Sequence, residues 1–400
     1  MRYAAKQGGK RMKLRLLGLL GALAVGGALA LPAQAFDTRA KSAFVIDQTT
    51  GTVLLSKNAD VALPPASMSK LMTLYMAFEA VRDGRLTLDE RLPVSQHAMN
   101  YGGSTMFLDT TDRVRVEDLL RGIIVLSGND ACAVIAEALS PDGTEAGFAR
   151  QMTLRAQQLG MMNSTFSNSN GWPQAGHRMS MRDLAILADH LIADFPEFYP
   201  LFSEREFAFD GRAPQNKTNR NPLLGLGIGA DGLKTGHTNE AGYGLVGSAK
   251  QGDRRVIFVL SGLGSSAARA EESEAIVNWS FRQFVQKSVA QSGSVIAQAD
   301  VWMGDEPRVG LVPAQDVTAL LPVLDAKQVQ AEVVYQGPIS APVSKGQELA
   351  TLIIQPQGMQ QLEIPLVAER DVPKGGFIPR IATVAQILLK RLDQGPEGAS

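Results

Sequence analysis

The sequence predicts an α+β protein in which a large domain of mixed helices and strands, residues 36–290, precedes a small β-sandwich-like domain, residues 294–373. Three observations support this fold class. At 400 residues the chain exceeds what one ordinary hydrophobic core holds. Helical and strand-like hydrophobic patterns alternate across the first of these ranges. From Val295 to Val372 the helical periodicity disappears, and short β-branched runs recur between Gly and Pro turns. The small, polar stretch Ser288–Ser294 is the predicted linker.

Residues 1–35 have the composition of a signal peptide. The segment contains six basic residues and no acid, and the last basic residue is Arg15. An uncharged apolar run, Leu16–Ala30, follows, and Ala33-Gln34-Ala35 supplies the small residues of a cleavage site. We therefore expect cleavage after this motif and export of the mature chain. The alternative is an uncleaved anchor, which the short run and Pro32 disfavour.

Outside this segment the chain is acidic. When the six basic residues are removed from the total of 39, 33 basic residues face 40 acidic ones, a net charge of −7. Such a chain lacks the basic footprint of a nucleic-acid binder, so we expect no nucleic-acid partner. Cys132 is the only cysteine, which excludes an intramolecular disulfide. The four histidines show no metal-ligand spacing, and we predict neither a metal nor a cofactor.

Residues 376–394 are predicted to form an amphipathic helix. Apolar residues recur at helical spacing along one face: Phe377, Ile381, Val384, Leu388 and Leu392. Basic residues lie on the opposite face: Arg380, Lys390 and Arg391. A helix with a basic polar face suits the plane of a membrane surface, so we expect peripheral attachment there. The alternative is a terminal helix that packs on its own domain.

The first chemical motif is Ser67-Met68-Ser69-Lys70. Two prolines before it favour an extended entry, and the apolar periodicity after it predicts a helix that ends at Gly84. Ser67 then lies at the N-terminus of a buried helix, with Lys70 one turn on and on the same face. Burial and the positive end of the helix dipole both lower the pKa of a lysine amine, which becomes a usable base for a serine nucleophile. Alone, the motif is weak, because a capping serine and a solvated lysine give the same pattern.

The second motif is Ser127-Gly128-Asn129, which lies between two apolar helical stretches. A polar loop in that position can present a hydroxyl and a carboxamide to a cleft. A simple helix cap is the alternative.

The third motif lies in Asp231–His237, which reads D-G-L-K-T-G-H. Two β-rich runs follow, Gly242–Lys250 and Arg255–Gly262, and predict a strand edge with a hairpin. Lys234 and Thr235 offer a cation and a hydroxyl to a carboxylate, and the glycine after them lets a ligand approach the strand. An exposed lysine at a turn is the alternative.

In this order and spacing the three motifs resemble the signatures of penicillin-binding proteins and serine β-lactamases. The longer stretches Ser127–Cys132 and Asp231–His237, with Gly242-Tyr243, are similar to those of low-molecular-weight penicillin-binding proteins, which are serine-type D-alanyl-D-alanine carboxypeptidases. The resemblance covers nearly the whole chain, since that family also has a signal peptide, a β-rich second domain and a C-terminal amphipathic anchor. It implies a β-lactamase/transpeptidase-like fold for residues 36–290. It also implies release of the terminal D-alanine from peptidoglycan stem pentapeptides.

The resemblance implies roles for four residues of the first two motifs. Ser67 would be the acylated nucleophile and Lys70 its general base. Ser127 would relay a proton to the leaving D-alanine, and Asn129 would hold the substrate amide.

It also implies how the substrate's carboxylate and oxyanion are bound. Lys234 and Thr235 would bind the terminal carboxylate, with Arg269 near them. The backbone N–H groups of Ser67 and His237 would form the oxyanion hole. By the same resemblance, β-lactams would inhibit the enzyme, which would work on the periplasmic face of the inner membrane.

Three other functions stay open. A class A β-lactamase needs a glutamate for deacylation, and Met161–Arg178 contains no acid. A DD-endopeptidase uses the same chemistry as a carboxypeptidase. A non-catalytic β-lactam sensor or peptidoglycan-binding module belongs to another class. A sensor would need spanning helices and an output domain, which the sequence does not suggest.

Overall fold

The computed structural model describes residues 10–15, 36–323, 330–356, 359 and 361–376. The chain divides into two compact units. One is Ala35–Arg282, and the other comprises Gln283–Ser400 together with Met1–Gln34.

The strands are, in chain order, β1 (Lys10–Arg15), β2 (Ser42–Asp47), β3 (Thr52–Lys57), β4 (Arg91–Pro93), β5 (Arg113–Arg115), β6 (Ala230–Thr238), β7 (Gly242–Gln251), β8 (Arg254–Leu263), β9 (Phe284–Ala290), β10 (Ala297–Trp302), β11 (Arg308–Pro313), β12 (Val317–Pro322), β13 (Gln330–Tyr335), β14 (Ile339–Ser340), β15 (Glu348–Gln355) and β16 (Leu362–Ala368).

The α-helices are α1 (Lys70–Arg82), α2 (Gln96–Met99), α3 (Val116–Arg121), α4 (Asn129–Leu139), α5 (Glu145–Gln158), α6 (Met181–Asp194) and α7 (Ser266–Arg282). Two 3₁₀ helices, Ala66–Ser69 and Tyr199–Ser203, and a π-helical turn, Gly122–Leu126, complete the helical elements of the described residues.

A five-stranded antiparallel sheet forms the centre of the first unit, in the order β3-β2-β8-β7-β6. Successive side chains of β8 point to opposite faces of the sheet, and each face packs against a hydrophobic core. Ile257 and Val259 join one core, whereas Phe258 between them joins the other. Helix α7 covers the second face with Ile276 and Val277. Strand β6 lies at the edge of this sheet, so one side of it has no partner strand among the described residues.

Helix α1 lies inside the larger core. Its buried residues occur on all sides, which is the pattern of an internal helix rather than a surface one. Phe78 is fully buried and stacks on Phe198, with ring centroids 4.8 Å apart. The helix ends just before Gly84, whose φ of +73° provides the left-handed turn that stops it, as predicted. This packing fixes the helix that begins at Lys70.

The second unit is built from strands. A seven-stranded sheet has the order β1-β13-β15-β16-β11-β10-β14, and β9 pairs with β12 in a separate two-stranded sheet. Along β15 the buried residues alternate, so that Ala350, Leu352 and Ile354 enter one core. The described residues from 283 to 376 contain no helix. The predicted α+β class with an all-β second domain is confirmed.

The position of the predicted linker differs from the observed boundary. The sequence suggested Ser288–Ser294, but Phe284–Ala290 forms β9 and pairs with Val317–Pro322. Because that strand belongs to the second unit, the boundary between the units falls earlier in the sequence, between Arg282 and Gln283. Small polar residues at an exposed strand end give the same composition as a linker.

The two ends of the chain are described only in small part. Within the predicted signal peptide, the structure describes Lys10–Arg15 as a strand antiparallel to Gln330–Tyr335. The predicted amphipathic helix lies outside the described residues, apart from residue 376. Among the helices that the structure describes, none has the length and apolar character needed to cross a membrane.

Candidate active site

Ser67 lies on a tight turn that leads into α1. The turn is the 3₁₀ helix Ala66–Ser69, and Lys70 is the first residue of α1. Ala66 has a φ of +49°, a conformation that non-glycine residues rarely adopt and that concentrates at functional sites. Ser67 is half-buried, whereas Lys70 is completely buried.

The Lys70 amine has three partners. Its Nζ lies 2.9 Å from Ser67 Oγ, 2.7 Å from Asn129 Oδ1 and 2.5 Å from the Asn170 carbonyl oxygen. The last two can only accept hydrogen bonds, while the serine hydroxyl can donate or accept. A neutral amine that donates to the two acceptors therefore has its lone pair left for the Ser67 proton.

The environment of Lys70 favours that neutral form. Burial lowers the pKa of its amine from 10.5 to about 8. Arg220 acts in the same direction, and the negative charges of Asp130 and Glu145 oppose it. Between about pH 8 and 10.5 the unfolded chain holds a proton that the folded one has released. Burial of this amine therefore costs stability below about pH 8, and that cost is lost progressively as pH rises towards 10.5.

Ser127 and Asn129 come from one connection between the π-helical turn and α4. Ser127 has a φ of +62° and is almost fully buried. Asn129 begins α4, and its Nδ2 donates to the Gly102 carbonyl at 2.8 Å. That bond orients the amide so that its oxygen faces Lys70. Within the described residues, the Ser127 hydroxyl makes no hydrogen bond to Lys70 or Lys234.

The edge strand β6 carries the third motif. Thr235 and Lys234 are buried, and the lysine Nζ lies 3.4 Å from the Thr235 carbonyl oxygen. Burial, with Lys70 nearby, lowers the pKa of Lys234 well below its usual range. A Cβ on Gly236 would lie 3.0 Å from the Pro65 carbonyl oxygen, so the missing side chain lets β6 approach the turn of Ser67.

One cavity of about 510 Å³ brings most of the predicted residues together. Its lining includes residues from all three motifs and from the start of α7: Ser67, Ser127, Thr235, His237 and Arg269. His237 stacks on Tyr243, with centroids 3.9 Å apart, and the Arg269 guanidinium lies 5.7 Å from the same tyrosine ring centroid.

The cavity is cationic. Its lining contains Arg220 and Arg269 but no carboxylate, and the amines of Lys70 and Lys234 are buried close to it. The Arg269 Nε is buried without a hydrogen-bond partner among the described residues. An unpaired buried donor is costly, so a hydrogen bond from this group to an anionic ligand would be favourable. The described residues contain no cluster of three or more His, Cys, Asp or Glu side chains that could hold a metal ion.

Sequence reasoning missed three residues near the Lys70 amine. Asn170 supplies a backbone carbonyl, which any residue type could offer, so its side chain gave no signal. Arg220 reaches the cavity from an irregular loop and donates to the Ser104 hydroxyl at 2.5 Å. Glu145 lies at the start of α5, where an acid reads as an ordinary helix-end residue.

Two family models and several known proteins match this chain. Residues 30–264 match the family model described as D-alanyl-D-alanine carboxypeptidase, and residues 284–374 match the C-terminal domain of penicillin-binding protein 5. D-alanyl-D-alanine carboxypeptidase DacF of Bacillus subtilis is 34% identical over 346 residues, covering 85% of this chain and 87% of that protein.

Two solved structures extend the comparison. The D-alanyl-D-alanine carboxypeptidase DacD of Francisella tularensis superposes with a TM-score of 0.76 at 26% identity, covering 88% of this chain and 97% of that one. Penicillin-binding protein D2 of Listeria monocytogenes, solved in its ampicillin-bound form, gives a TM-score of 0.55 at 32% identity, covering 61% of this chain and 98% of that one.

We predict that the loop of Asn170 tolerates no side chain at Gly171. A Cβ there would lie 1.9 Å from the Ala66 carbonyl oxygen, so Gly171→Ala must push the loop away from the turn of Ser67. Gly176→Ala is the matched control, because its φ of +82° is close to the +85° of Gly171 but its nearest atom is 3.4 Å away.

The control should lose about 1–2 kcal/mol from backbone strain alone. Gly171→Ala should lose about 1–3 kcal/mol more from overpacking, as measured by denaturant unfolding. Equal losses in the two variants would contradict the close contact.

Proposed function

Because this chain belongs to the D-alanyl-D-alanine carboxypeptidase family, we propose that it releases the terminal D-alanine from peptidoglycan stem peptides through an acyl-enzyme on Ser67. One observation carries the proposal. The Lys70 amine is buried 2.9 Å from Ser67 Oγ, and its other two partners can only accept hydrogen bonds. This arrangement supports proton transfer from the serine to the lysine.

In the acylation step, Ser67 Oγ attacks the carbonyl carbon between the two D-alanines. Lys70 takes the hydroxyl proton as the new C–O bond forms. The pKa of about 8 leaves about one amine in ten neutral at pH 7, and this fraction rises steeply with pH. An arginine could not replace this base, since guanidinium stays protonated.

Backbone N–H groups would stabilise the oxyanion. We assign them to Ser67 and to His237, the latter on the edge strand β6. An edge strand supports this role because alternate N–H groups on its open side have no partner strand. Donors fixed in this way bind charge as it develops and need no rearrangement during the reaction.

Cations beside the cavity would bind the terminal carboxylate of the substrate. We assign this role to Lys234, Thr235 and Arg269, and the structure adds Arg220 as a further candidate. A carboxylate would relieve the cost of holding these charges close together with no carboxylate in the lining. This requirement favours peptides with a free C-terminus.

Ser127 would complete the reaction. Its position in the cavity with Ser67 supports transfer of the proton from Lys70 to the amine of the leaving D-alanine. Water would then hydrolyse the ester. Asn129 was predicted to hold the substrate amide; both ends of its side chain bind Lys70 and Gly102 here, which supports a role in orienting Lys70 as well.

A β-lactamase is less well supported. Met161–Arg178 itself contains no acid, and the buried carboxylate of Glu145, which contacts this segment, accepts hydrogen bonds from Ser169, Tyr101 and His97. A carboxylate engaged in this way is poorly placed to activate water. A DD-endopeptidase stays an alternative, and a cross-linked muropeptide assayed beside a D-Ala-D-Ala peptide separates the two activities. Turnover of either peptide excludes a non-catalytic module.

We also propose that the protein is exported and works at the periplasmic face of the inner membrane. Cleavage of residues 1–35 would release the mature chain, and the helix over residues 376–394 would hold it on the membrane surface. β-Lactams would inhibit it by acylating Ser67, which the ampicillin-bound relative from Listeria monocytogenes supports.

We predict that Ser67→Ala abolishes both D-alanine release and the adduct with benzylpenicillin, because no other hydroxyl of the described residues lies within hydrogen-bond distance of the Lys70 amine. Ser69→Ala is the matched control in the same turn, since its hydroxyl has no hydrogen-bond partner among the described residues. Release of D-alanine from a D-Ala-D-Ala peptide, with adduct mapping by mass spectrometry, tests both. A stable adduct on any residue other than Ser67 would end this proposal.

We predict that removal of residues 377–400 releases the processed protein from membranes and preserves hydrolysis of a small D-Ala-D-Ala peptide. The deleted segment contains Arg380, Lys390 and Arg391, and each contributes about 1 kcal/mol of attraction to anionic lipid. High salt should release the full-length protein only partly, because the apolar face keeps its affinity after charges are screened. Membrane-bound truncated protein would instead place the anchor elsewhere.

A further inference from the structure

Glu145 is a buried carboxylate whose two oxygens both have hydrogen-bond partners. It lies at the start of α5 and is only 7% exposed. Its Oε1 accepts from the Ser169 N–H at 2.9 Å and from the Ser169 hydroxyl at 2.5 Å. Its Oε2 accepts from the Tyr101 hydroxyl at 2.6 Å and contacts His97 Nε2 at 2.7 Å.

These partners lie next to the groups that hold Lys70. Ser169 precedes Asn170, whose carbonyl oxygen accepts from the Lys70 amine. Tyr101 precedes Gly102, whose carbonyl orients the amide of Asn129, the other acceptor of that amine. One carboxylate thus joins the two loops on which both acceptors depend.

We propose that Glu145 is a positioning residue for Lys70: it ties loops 100–104 and 167–172 together, so that the lone pair of the amine stays directed at Ser67. This inference rests on the proposed function, in which Lys70 is the base. An acid that only stabilised the N-terminus of α5 would not need to be buried among hydrogen-bond donors. An exposed carboxylate interacts with the helix dipole equally well. Burial and donors from two separate segments, residues 97–101 and 169–170, instead indicate a link between loops.

The charge of Glu145 gives the proposal a specific signature. Besides Glu145, the ionisable groups near Lys70 are Cys132, Asp130, Arg220, Lys234 and His177. Those near Glu145 itself are His97, Tyr101, Glu137, Cys132 and His177.

Burial has the largest effect on the pKa of Lys70, and the Glu145 carboxylate raises that pKa by a smaller amount, so its neutralisation lowers it. Acylation depends on the neutral amine and rises with pH through the same pKa. Glu145→Gln should therefore move the rising limb of the acylation profile to lower pH.

The experiment measures the acylation rate by benzylpenicillin against pH, followed by intact-protein mass spectrometry. Glu145→Gln keeps the shape of the side chain but cannot accept at both ends, so its maximal rate should fall about tenfold or more. Glu145→Asp keeps the charge but has a shorter side chain. The pH midpoint of its rising limb should therefore match the wild type, while its maximal acylation rate should be lower. Thermal unfolding of each variant shows that it is folded.

Asp183→Asn is the matched control. Asp183 is also a buried carboxylate and accepts from the Asn163 N–H and the Ser164 hydroxyl, but neither loop residue precedes a Lys70 partner. Asp183→Asn should leave the pH midpoint of the rising limb of the acylation profile unchanged.

Three results would overturn the inference. Glu145→Gln could keep the wild-type maximum and limb, or it could lose rate with no shift of the limb, as expected of general loss of stability. Asp183→Asn could show the same shift. In all three cases wild-type Ser67 is still acylated and the proposed function stands. If the wild type forms no Ser67 adduct, the proposed function fails, and this inference fails with it.

Discussion

The proposed chemistry depends on one constraint: a buried lysine amine lies between a serine hydroxyl and two groups that can only accept hydrogen bonds. Burial disfavours the charged form of Lys70, while Asn129 and Asn170 engage two of its hydrogens. The nitrogen lone pair of the neutral amine is then directed at Ser67. The chemistry follows from that geometry, since serine alone is a poor nucleophile.

The surrounding fold keeps this amine buried and fixed. Helix α1 is buried on all sides, which removes solvent from its first residue. The loop of Gly171 and the strand of Gly236 approach the Ser67 turn so closely that neither position has room for a side chain without movement. Strained backbone at Ala66 and Ser127 marks the two turns that present the hydroxyls. The tight packing and the strain occur where the chemistry requires fixed positions.

The fold class and the hairpin after Lys234 could be predicted from the sequence, because hydrophobic periodicity and turn residues are local signals. The predicted runs Gly242–Lys250 and Arg255–Gly262 match the observed strands to within one residue at each end. The contributions of Asn170 and Glu145 could not be predicted in this way. The first acts through its backbone, and the second acts through loops distant in sequence, so neither leaves a local pattern. The roles of the predicted site residues stay predictions until they are tested.

The most direct test of the central claim is the protonation state of Lys70. Titration of protein labelled with ¹³C at lysine Cε, followed by NMR, gives that pKa, and the Lys70→Arg variant identifies the resonance. We predict a midpoint near pH 8, well below the ordinary 10.5. A midpoint at or above the ordinary value would contradict it, because a permanently charged amine cannot take the proton of Ser67.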